Sequence, residues 1–256
     1  MSPDARWSDL APRVASGMAM AAVGLGAIWA GGVVFAALVV CLGGLMTWEA
    51  ARLHASAAPV RAGLTGAATL ALALWLPGIF VLPLVAAAVL VNAETVPRAR
   101  GPFAALALAA LLAPWVIFDL RAGAAGLTWV LWLAGVVIVS DVAGYFAGKA
   151  IGGPKFWPRI SPRKTWSGTA AGWLGAAAVG AVFAGPTGAG ALLIPVSVLV
   201  GMAGQLGDIA ESAVKRMQGV KDSSTLIPGH GGVLDRFDAM LGAALALGLM
   251  RAAGLV

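Results

Sequence analysis

Apolar residues form long runs along this chain, and short polar segments separate them. Several runs approach the roughly 20 residues that a helix needs to cross a bilayer, and others are shorter. Nine candidate spans follow from this pattern: Val14–Trp29, Gly32–Ala50, Gly63–Leu76, Gly78–Val91, Phe103–Leu120, Ala125–Ala147, Gly168–Phe183, Ala189–Asp208 and Phe237–Ala253. The sequence therefore predicts an all-α polytopic membrane protein with about nine transmembrane helices.

The basic residues are distributed unevenly between the two sides of this layout. If the N-terminus is cytoplasmic, all 17 Lys and Arg residues except Arg121 and Arg251 fall on the cytoplasmic side. The positive-inside rule requires such a bias. We therefore expect a multi-pass protein of the cell inner (cytoplasmic) membrane, with its N-terminus in the cytoplasm and its C-terminus on the far side.

The composition excludes a soluble globular class, because 11% of the residues are charged and soluble domains average about 25%. The net charge of +6 suits anionic lipid head groups, and we expect no nucleic-acid partner. Cys41 is the one cysteine, which excludes a disulfide framework. Because Met1–Pro12 is polar and no cleavage pattern follows the first run, we expect a retained first span.

We expect one integral membrane domain over residues 1–256. Residues 1–120 would form its N-terminal helices, and residues 121–256 its later helices and the cytoplasmic loops, with the candidate chemistry in this second part.

Ionisable residues concentrate between Asp208 and Asp238, whereas long stretches elsewhere carry none. Four polar residues at helical spacing i, i+3, i+4 and i+7 would share one helix face: Asp208, Glu211, Ser212 and Lys215. Such a stripe would aim two carboxylates, a hydroxyl and an ammonium group into one cavity. An i,i+4 salt-bridge stripe at an interface explains the same spacing equally well.

A glycine-rich loop follows this stripe. Gly219 is expected to end the helix. The run Pro228–Gly232 can turn tightly and expose backbone N–H groups to phosphate. Asp235 and Asp238 would lie at the start of the last span, where a helix N-terminus stabilises carboxylates in any case.

A second polar patch precedes the stripe. Asp141 interrupts an apolar span, which is costly unless the carboxylate faces a cavity or a partner. The loop Gly152–Ser167 carries four cations and is either an ordinary cytoplasmic loop or a phosphate-binding surface.

Carboxylates without thiols favour a hard cation such as Mg²⁺, and Lys and Arg suit phosphate oxygens. This combination is typical of phosphoryl and nucleotidyl transfer. No P-loop motif occurs, since Gly144–Lys149 has the wrong spacing.

Residues 212–238 closely resemble the signature of the CDP-diacylglycerol synthase (phosphatidate cytidylyltransferase) family. The matching parts are S-x-x-K-R at Ser212–Arg216, K-D at Lys221–Asp222 and P-G-H-G-G-x-x-D-R-x-D at Pro228–Asp238. Upstream, Asp141 with Tyr145 and the S-P-x-K-T-W run that begins at Ser161 are also similar to the family. Ser167 stands where the family often has Glu, and we assign it no role.

The resemblance implies that CTP and phosphatidate are joined to CDP-diacylglycerol with release of pyrophosphate. The distribution of Lys and Arg places the signature loop, and with it the expected site, on the cytoplasmic side. It implies Mg²⁺, with a monovalent ion such as K⁺ beside it, and a homodimer. The implied metal-binding carboxylates are Asp208 and Asp235, supported by Asp141 and Asp238. The implied catalytic residues are Asp208, Asp235, Lys215 and Lys221. The implied substrate-binding residues are Ser161, Lys164, Ser212, Arg216, Asp222, His230, Gly231, Gly232 and Arg236.

Two other functions would use some of the same residues. A CTP-dependent polyprenol or phytol kinase would transfer the γ-phosphate, and the full signature match argues against it. A non-catalytic transporter could use Asp141 and Asp208 for an ion path. The charges gather at one membrane face beside a glycine-rich loop, however, which suits a soluble nucleotide better.

Overall fold

The computed structural model describes residues 10–256, with side chains from residue 14 onward. The predicted cytoplasmic placement of Arg6 and Arg13 concerns side chains outside this described part. Most of the segment Met1–Pro12 also lies outside it. The N-terminal helices are α1 (Leu10–Ala30), α2 (Gly32–Leu53), α3 (Pro59–Ala73), α4 (Gly78–Ala93) and α5 (Arg100–Ala122). The later helices are α6 (Gly126–Ala150), α7 (Trp166–Phe183), α8 (Leu193–Met217) and α9 (Leu234–Ala252). In the described part of the chain, each of the nine predicted segments coincides largely with one helix.

Within the described residues, four helical segments are long and apolar enough to cross a membrane: α2, α5, α6 and the stretch Gly190–Met217, which joins a 3-10 turn (Gly190–Leu192) to α8. Large apolar side chains also point away from the protein on several helices. Val33 is 82% exposed, and Leu174 and Leu249 are each 73% exposed. Lipid explains such a surface, whereas water would not tolerate it. The chain is a helical, multi-pass membrane protein, and the nine crossings and the sides of the termini stay predictions.

The loop predicted over Gly152–Ser167 contains a short antiparallel hairpin, which the all-α prediction did not include. Strand β1 (Lys155–Trp157) pairs with β2 (Ser161–Thr165), with Lys155 opposite Thr165. The Thr165 hydroxyl then accepts a hydrogen bond from the Gly168 N–H at 3.2 Å and caps α7. A three-residue strand is too short to show a period-two pattern, which is why the sequence did not reveal it.

The described chain divides into two compact units. The first unit comprises residues up to Phe118 together with Gln218–Phe237, and the second comprises Asp119–Met217 with Asp238–Val256. In the first unit, α2 packs along α3 and supplies fully buried side chains such as Met46 and Ala50.

In the second unit, α6, α7 and α8 pack together. A Cβ atom on Gly168 would lie 2.5 Å from the Gly144 carbonyl oxygen, and one on Gly180 would lie 2.8 Å from the Leu193 oxygen. Small residues thus allow these helices to approach closely, as expected for packing in lipid. The α8 helix also crosses α9 closely, since a Cβ on Gly207 would lie 2.5 Å from the Asp238 carbonyl oxygen.

Candidate functional site

The glycine-rich loop of the first unit forms a tight turn, as predicted. Gly229 and Gly231 have φ angles of 74° and 82°, in a region that residues with a Cβ atom rarely adopt. The Ile227 N–H donates to the Gly231 carbonyl at 2.8 Å, and the His230 N–H donates to the Ile227 carbonyl at 2.9 Å. The turn is therefore closed by its own backbone. Gly219, with φ of 72°, follows the end of α8, which confirms its predicted place.

The Ser16 hydroxyl on α1 forms hydrogen bonds with this turn. Ser16 Oγ donates to the Pro228 carbonyl at 3.0 Å and lies 2.9 Å from His230 Nδ1. A hydroxyl has one proton to donate, so His230 Nδ1 is the donor in the second bond when both form together. The His230 ring is thus fixed within the loop, and its predicted contact with substrate stays a prediction.

Asp235 binds the signature loop through one oxygen. Its Oδ2 accepts hydrogen bonds from the Ser223 N–H, the Ser223 hydroxyl and the Gly232 N–H, each at 2.8 Å. The side chain is buried. Asp235 therefore joins the segment after the K-D pair to the start of α9. The Gly232 N–H was expected to face phosphate, but in the structure it donates to the Asp235 carboxylate.

Glu49 on α2 binds the same loop, and the sequence did not point to it. Its carboxylate accepts hydrogen bonds from the Ser224 hydroxyl at 2.6 Å, the Val233 N–H at 2.9 Å and the Leu234 N–H at 2.7 Å. The Ser223 hydroxyl lies 3.4 Å from its second oxygen, and the side chain is 0% exposed. One signal was available, because Glu49 is the one charged residue within the apolar run Gly32–Ala50.

In the second unit, the basic hairpin meets the polar stripe of α8. Lys164 on β2 forms an ion pair with Asp208, and its Nζ also donates to the Gln205 carbonyl at 3.3 Å. The Ser212 hydroxyl donates to Asp208 Oδ1 at 3.3 Å. Two regions that the sequence singled out separately, the cationic loop and the α8 stripe, are therefore in direct contact.

Farther along the stripe, Lys215 forms an i,i+4 ion pair with Glu211. Both side chains are buried, with Glu211 2% and Lys215 9% exposed. The salt-bridge interpretation of the stripe is confirmed for this pair. It does not hold for Asp208, whose cation comes from the hairpin.

The carboxylates of the second unit lie within electrostatic reach of one another. Asp141 interacts with the charges of Lys164 and Asp208, and Asp238 interacts with those of Asp208, Glu211 and Lys215. Among the described residues, no three His, Cys, Asp or Glu side chains converge closely enough to form a ready-made metal-ligand group. The predicted metal-binding roles of Asp141, Asp208, Asp235 and Asp238 stay predictions.

The other predicted catalytic and substrate-binding residues lie mostly at the surface. Exposed side chains are those of Arg216, Lys221, Asp222 and Arg236, and Ser161 and Gly231 are partly exposed. Surface cations of this kind are accessible to a soluble polyphosphate.

Ser167 has a local structural contact. Its hydroxyl donates to the Gly152 carbonyl and lies 3.0 Å from Thr165 Oγ1, so it ties the start of the hairpin loop to its end.

Comparison with known proteins gives consistent matches. The cytidylyltransferase family model matches residues 11–252. Phosphatidate cytidylyltransferase of Brucella suis is 48% identical over 132 residues, which are 50% of this chain and 48% of the relative. The Bacillus subtilis protein of the same name is 42% identical over 122 residues, 45% of this chain and 44% of that protein. The one from Helicobacter pylori is 42% identical over 125 residues, 48% of this chain and 46% of that protein.

The chain thus spans about half the length of the curated relatives it matches. The family model, in contrast, covers nearly the whole chain, including every residue of the signature and of the two carboxylate groups described above. The chain belongs to the cytidylyltransferase family.

Proposed function

We propose that this protein is a phosphatidate cytidylyltransferase, which converts CTP and phosphatidate into CDP-diacylglycerol and pyrophosphate. The observation that carries the proposal is the charged cluster of the second unit. Asp208 pairs with Lys164, and its charge acts on Asp141 and Asp238 within an otherwise apolar set of helices. Ionisable groups at membrane depth are costly and are kept mainly where they have a function. The names of the relatives support the same reaction.

The chemistry requires little from a side-chain base. The phosphate of phosphatidate is already anionic at neutral pH, and one of its oxygens attacks the α-phosphorus of CTP. A new oxygen–phosphorus bond forms, the bond between the α-phosphorus and the bridging oxygen breaks, and pyrophosphate leaves with that electron pair. The protein contributes positioning and positive charge. Lys164 and Lys215 would supply charge within the cluster, and the exposed Arg216, Lys221 and Arg236 would bind phosphate groups.

The donor chemistry of the cluster fits Mg²⁺. Asp141, Asp208 and Asp238 offer carboxylate oxygens and no thiolate, which are the donors that a hard cation prefers. When bound, Mg²⁺ would neutralise charge on the phosphate oxygens. We also propose, from the family signature, that Asp235 takes part in metal binding and that K⁺ lies beside Mg²⁺.

The membrane setting forms part of the proposal. We propose nine crossings, a cytoplasmic N-terminus, a far-side C-terminus and a homodimer in the inner membrane. The distribution of Lys and Arg supports this orientation, since it leaves only Arg121 and Arg251 on the far side. CTP would then reach the site from the cytoplasm and phosphatidate from the bilayer.

Product identification tests the reaction directly. The full chain in detergent is given CTP, phosphatidate and Mg²⁺, and the products are identified by mass spectrometry. We expect CDP-diacylglycerol and pyrophosphate, and loss of both when a chelator is added. A phosphorylated polyprenol together with CDP, in a parallel reaction that contains polyprenol, would instead identify a lipid kinase. Folded protein that yields neither product would refute both reactions and favour transport.

A matched pair of variants tests the cluster. Asp208→Asn should lower turnover about 100-fold or more, the loss typical of removing an electrostatic contribution to the transition state. Asp119→Asn is the control, because Asp119 is half-exposed and pairs with Arg251 at 2.7 Å, outside the cluster. Equal turnover by the two variants would remove Asp208 from the site.

A further inference from the structure

Glu49 occupies an unusual position for a carboxylate. It lies in the last turn of α2, a helix long and apolar enough to cross a membrane, and it is fully buried within the first unit. Burying a carboxylate is costly unless donors replace the water that it loses. A packing role would be filled better by an apolar side chain of similar size.

The donors that surround Glu49 all come from one short segment. They are the hydroxyls of Ser223 and Ser224 and the N–H groups of Val233 and Leu234. An ionised carboxylate only accepts hydrogen bonds, and its two oxygens have room for about four. The Ser223 proton lies nearer Asp235, so the Ser224 hydroxyl and the two N–H groups are the donors that Glu49 keeps to itself, although 175 to 185 residues separate it from them in the chain.

The contacts of Glu49 link the two ends of the glycine-rich loop. Ser223 and Ser224 precede the glycine-rich turn, whereas Val233 and Leu234 follow it and begin α9. By accepting from both sides, one carboxylate fixes the distance between the two ends of the turn. It also satisfies N–H groups at the start of α9 that have no partner within the helix.

Glu49 is also connected to Asp235. The Ser223 hydroxyl lies 2.8 Å from Asp235 Oδ2 and 3.4 Å from Glu49 Oε2, so the two carboxylates share one hydroxyl. The Gly232 N–H binds Asp235, and the next two N–H groups along the chain bind Glu49. The orientation of Asp235 therefore depends on a loop whose shape Glu49 sets.

We propose that Glu49 is a positioning residue of the cytidylyltransferase reaction, which holds the loop from Ser223 to Leu234 so that Asp235 has its active arrangement. The activity part of this inference rests on the proposed function. Its structural part, the fixing of the loop by Glu49, does not.

Glu49→Gln tests the structural part. Glutamine keeps the shape but replaces one acceptor oxygen with an NH₂ group, which would face a donor. We expect the Val233 and Leu234 amides to exchange hydrogen about 10-fold faster or more, as for the loss of hydrogen bonds to a charged group. Glu94→Gln is the matched control, because Glu94 is exposed just after α4. Unchanged exchange at both amides in Glu49→Gln would overturn the proposal, whether or not the protein has the proposed activity.

Turnover tests the catalytic part. With kcat normalised to folded protein, we expect Glu49→Gln to fall about 10- to 100-fold, the range found when residues that support an active site are changed. A purely structural role would lower the amount of folded protein and leave this normalised kcat unchanged, which would refute the catalytic part. If the wild-type protein makes no CDP-diacylglycerol, the proposed function fails, and the exchange experiment alone decides on Glu49.

Ser224→Ala provides a second, milder variant in case Glu49→Gln does not fold. It removes one donor to Glu49, and we expect a loss of kcat of several-fold. An unchanged kcat in this single variant would refute the catalytic part even if Glu49→Gln does not fold. If Glu49 acts through this loop, the kcat of the double variant Glu49→Gln/Ser224→Ala should fall by less than the product of the two single-variant losses. The reason is that both changes remove parts of one network. In the control background Glu94→Gln, Ser224→Ala should lower kcat by the same factor as it does in the wild type. Losses that multiply in the Glu49–Ser224 pair would contradict the proposal.

Discussion

The close contact between α8 and α9 predicts how strongly a larger side chain at Gly207 would destabilise the protein. A Cβ atom on Gly207 would lie 2.5 Å from the Asp238 carbonyl oxygen, 3.0 Å from the Gly242 nitrogen and 3.1 Å from its Cα. All three neighbours are backbone atoms, so no side chain can rotate away. To restore an ordinary contact of 3.4 Å, the two helices must separate by about 0.9 Å, the difference between 3.4 and 2.5 Å.

Gly207→Ala should therefore destabilise the second unit. Overpacking of this kind costs about 1–3 kcal/mol. In a chain of this size each kcal/mol shifts the thermal midpoint by about 2–4 °C, which gives an expected decrease of about 2–12 °C. Asp208 follows Gly207 directly and Asp238 supplies the contacted oxygen, so the same movement separates two carboxylates of the proposed site. A misplacement of about 1 Å can cost about 100-fold in rate.

The assay is thermal unfolding in detergent followed by the fluorescence of the 10 tryptophans, together with turnover of CTP and phosphatidate. Gly26→Ala is the matched control, because Gly26 lies within α1 and its Cβ would meet nothing within 4 Å. We expect the control to have at least the wild-type midpoint, since alanine favours the helix over glycine. If Gly207→Ala retained both the midpoint and the activity of this control, the inferred close crossing of α8 and α9 would be refuted.

Two further predictions concern the first unit. Burial lowers the pKa of His54 below 6.5, partly offset by a hydrogen bond to the Ala50 carbonyl. Because the unfolded chain binds this proton more readily, stability should be complete above pH 6.5 and decrease as the pH falls toward the lowered folded-state pKa. The thermal midpoint of His54→Phe should consequently vary less with pH than that of the wild type, and parallel profiles would contradict this cause. Ser16→Ala removes the α1 contacts to Pro228 and His230, so the amides of Gly229 and Gly231 should exchange hydrogen faster. Unchanged exchange there would show that α1 does not hold the turn.

Much of the helical architecture could be predicted because its cause is local. Apolar runs of sufficient length form helices in lipid, where every backbone polar group needs a partner within the segment. The turn around Gly229 and Gly231 was also predictable, since only glycine adopts such φ angles at low cost. The short hairpin was not, because β1 and β2 are stabilised by pairing with each other and are too short to show a pattern.

The candidate site was predictable only in its residue types. The spacing of the α8 stripe permitted both a salt bridge and a polar cavity, and the structure shows one ion pair within the stripe and one to another element. Lys215 pairs with Glu211 on the same helix, while Lys164 reaches Asp208 from a strand 44 positions earlier in the chain. No periodicity encodes a contact of that length, because its geometry depends on how α8 and the hairpin pack.

The sequence by itself determined the membrane class, the positions of the helices and the family signature, because hydropathy, backbone conformation and short motifs are properties of neighbouring residues. Only the tertiary structure decided which carboxylate faces which donor. Glu49 appeared in the sequence as one acid in an apolar run, yet folding brings it to the hydroxyls and amides of a loop more than 170 positions away. A buried carboxylate must find its donors wherever the packed chain supplies them, and that requirement, which no local pattern records, placed Glu49 at the signature loop.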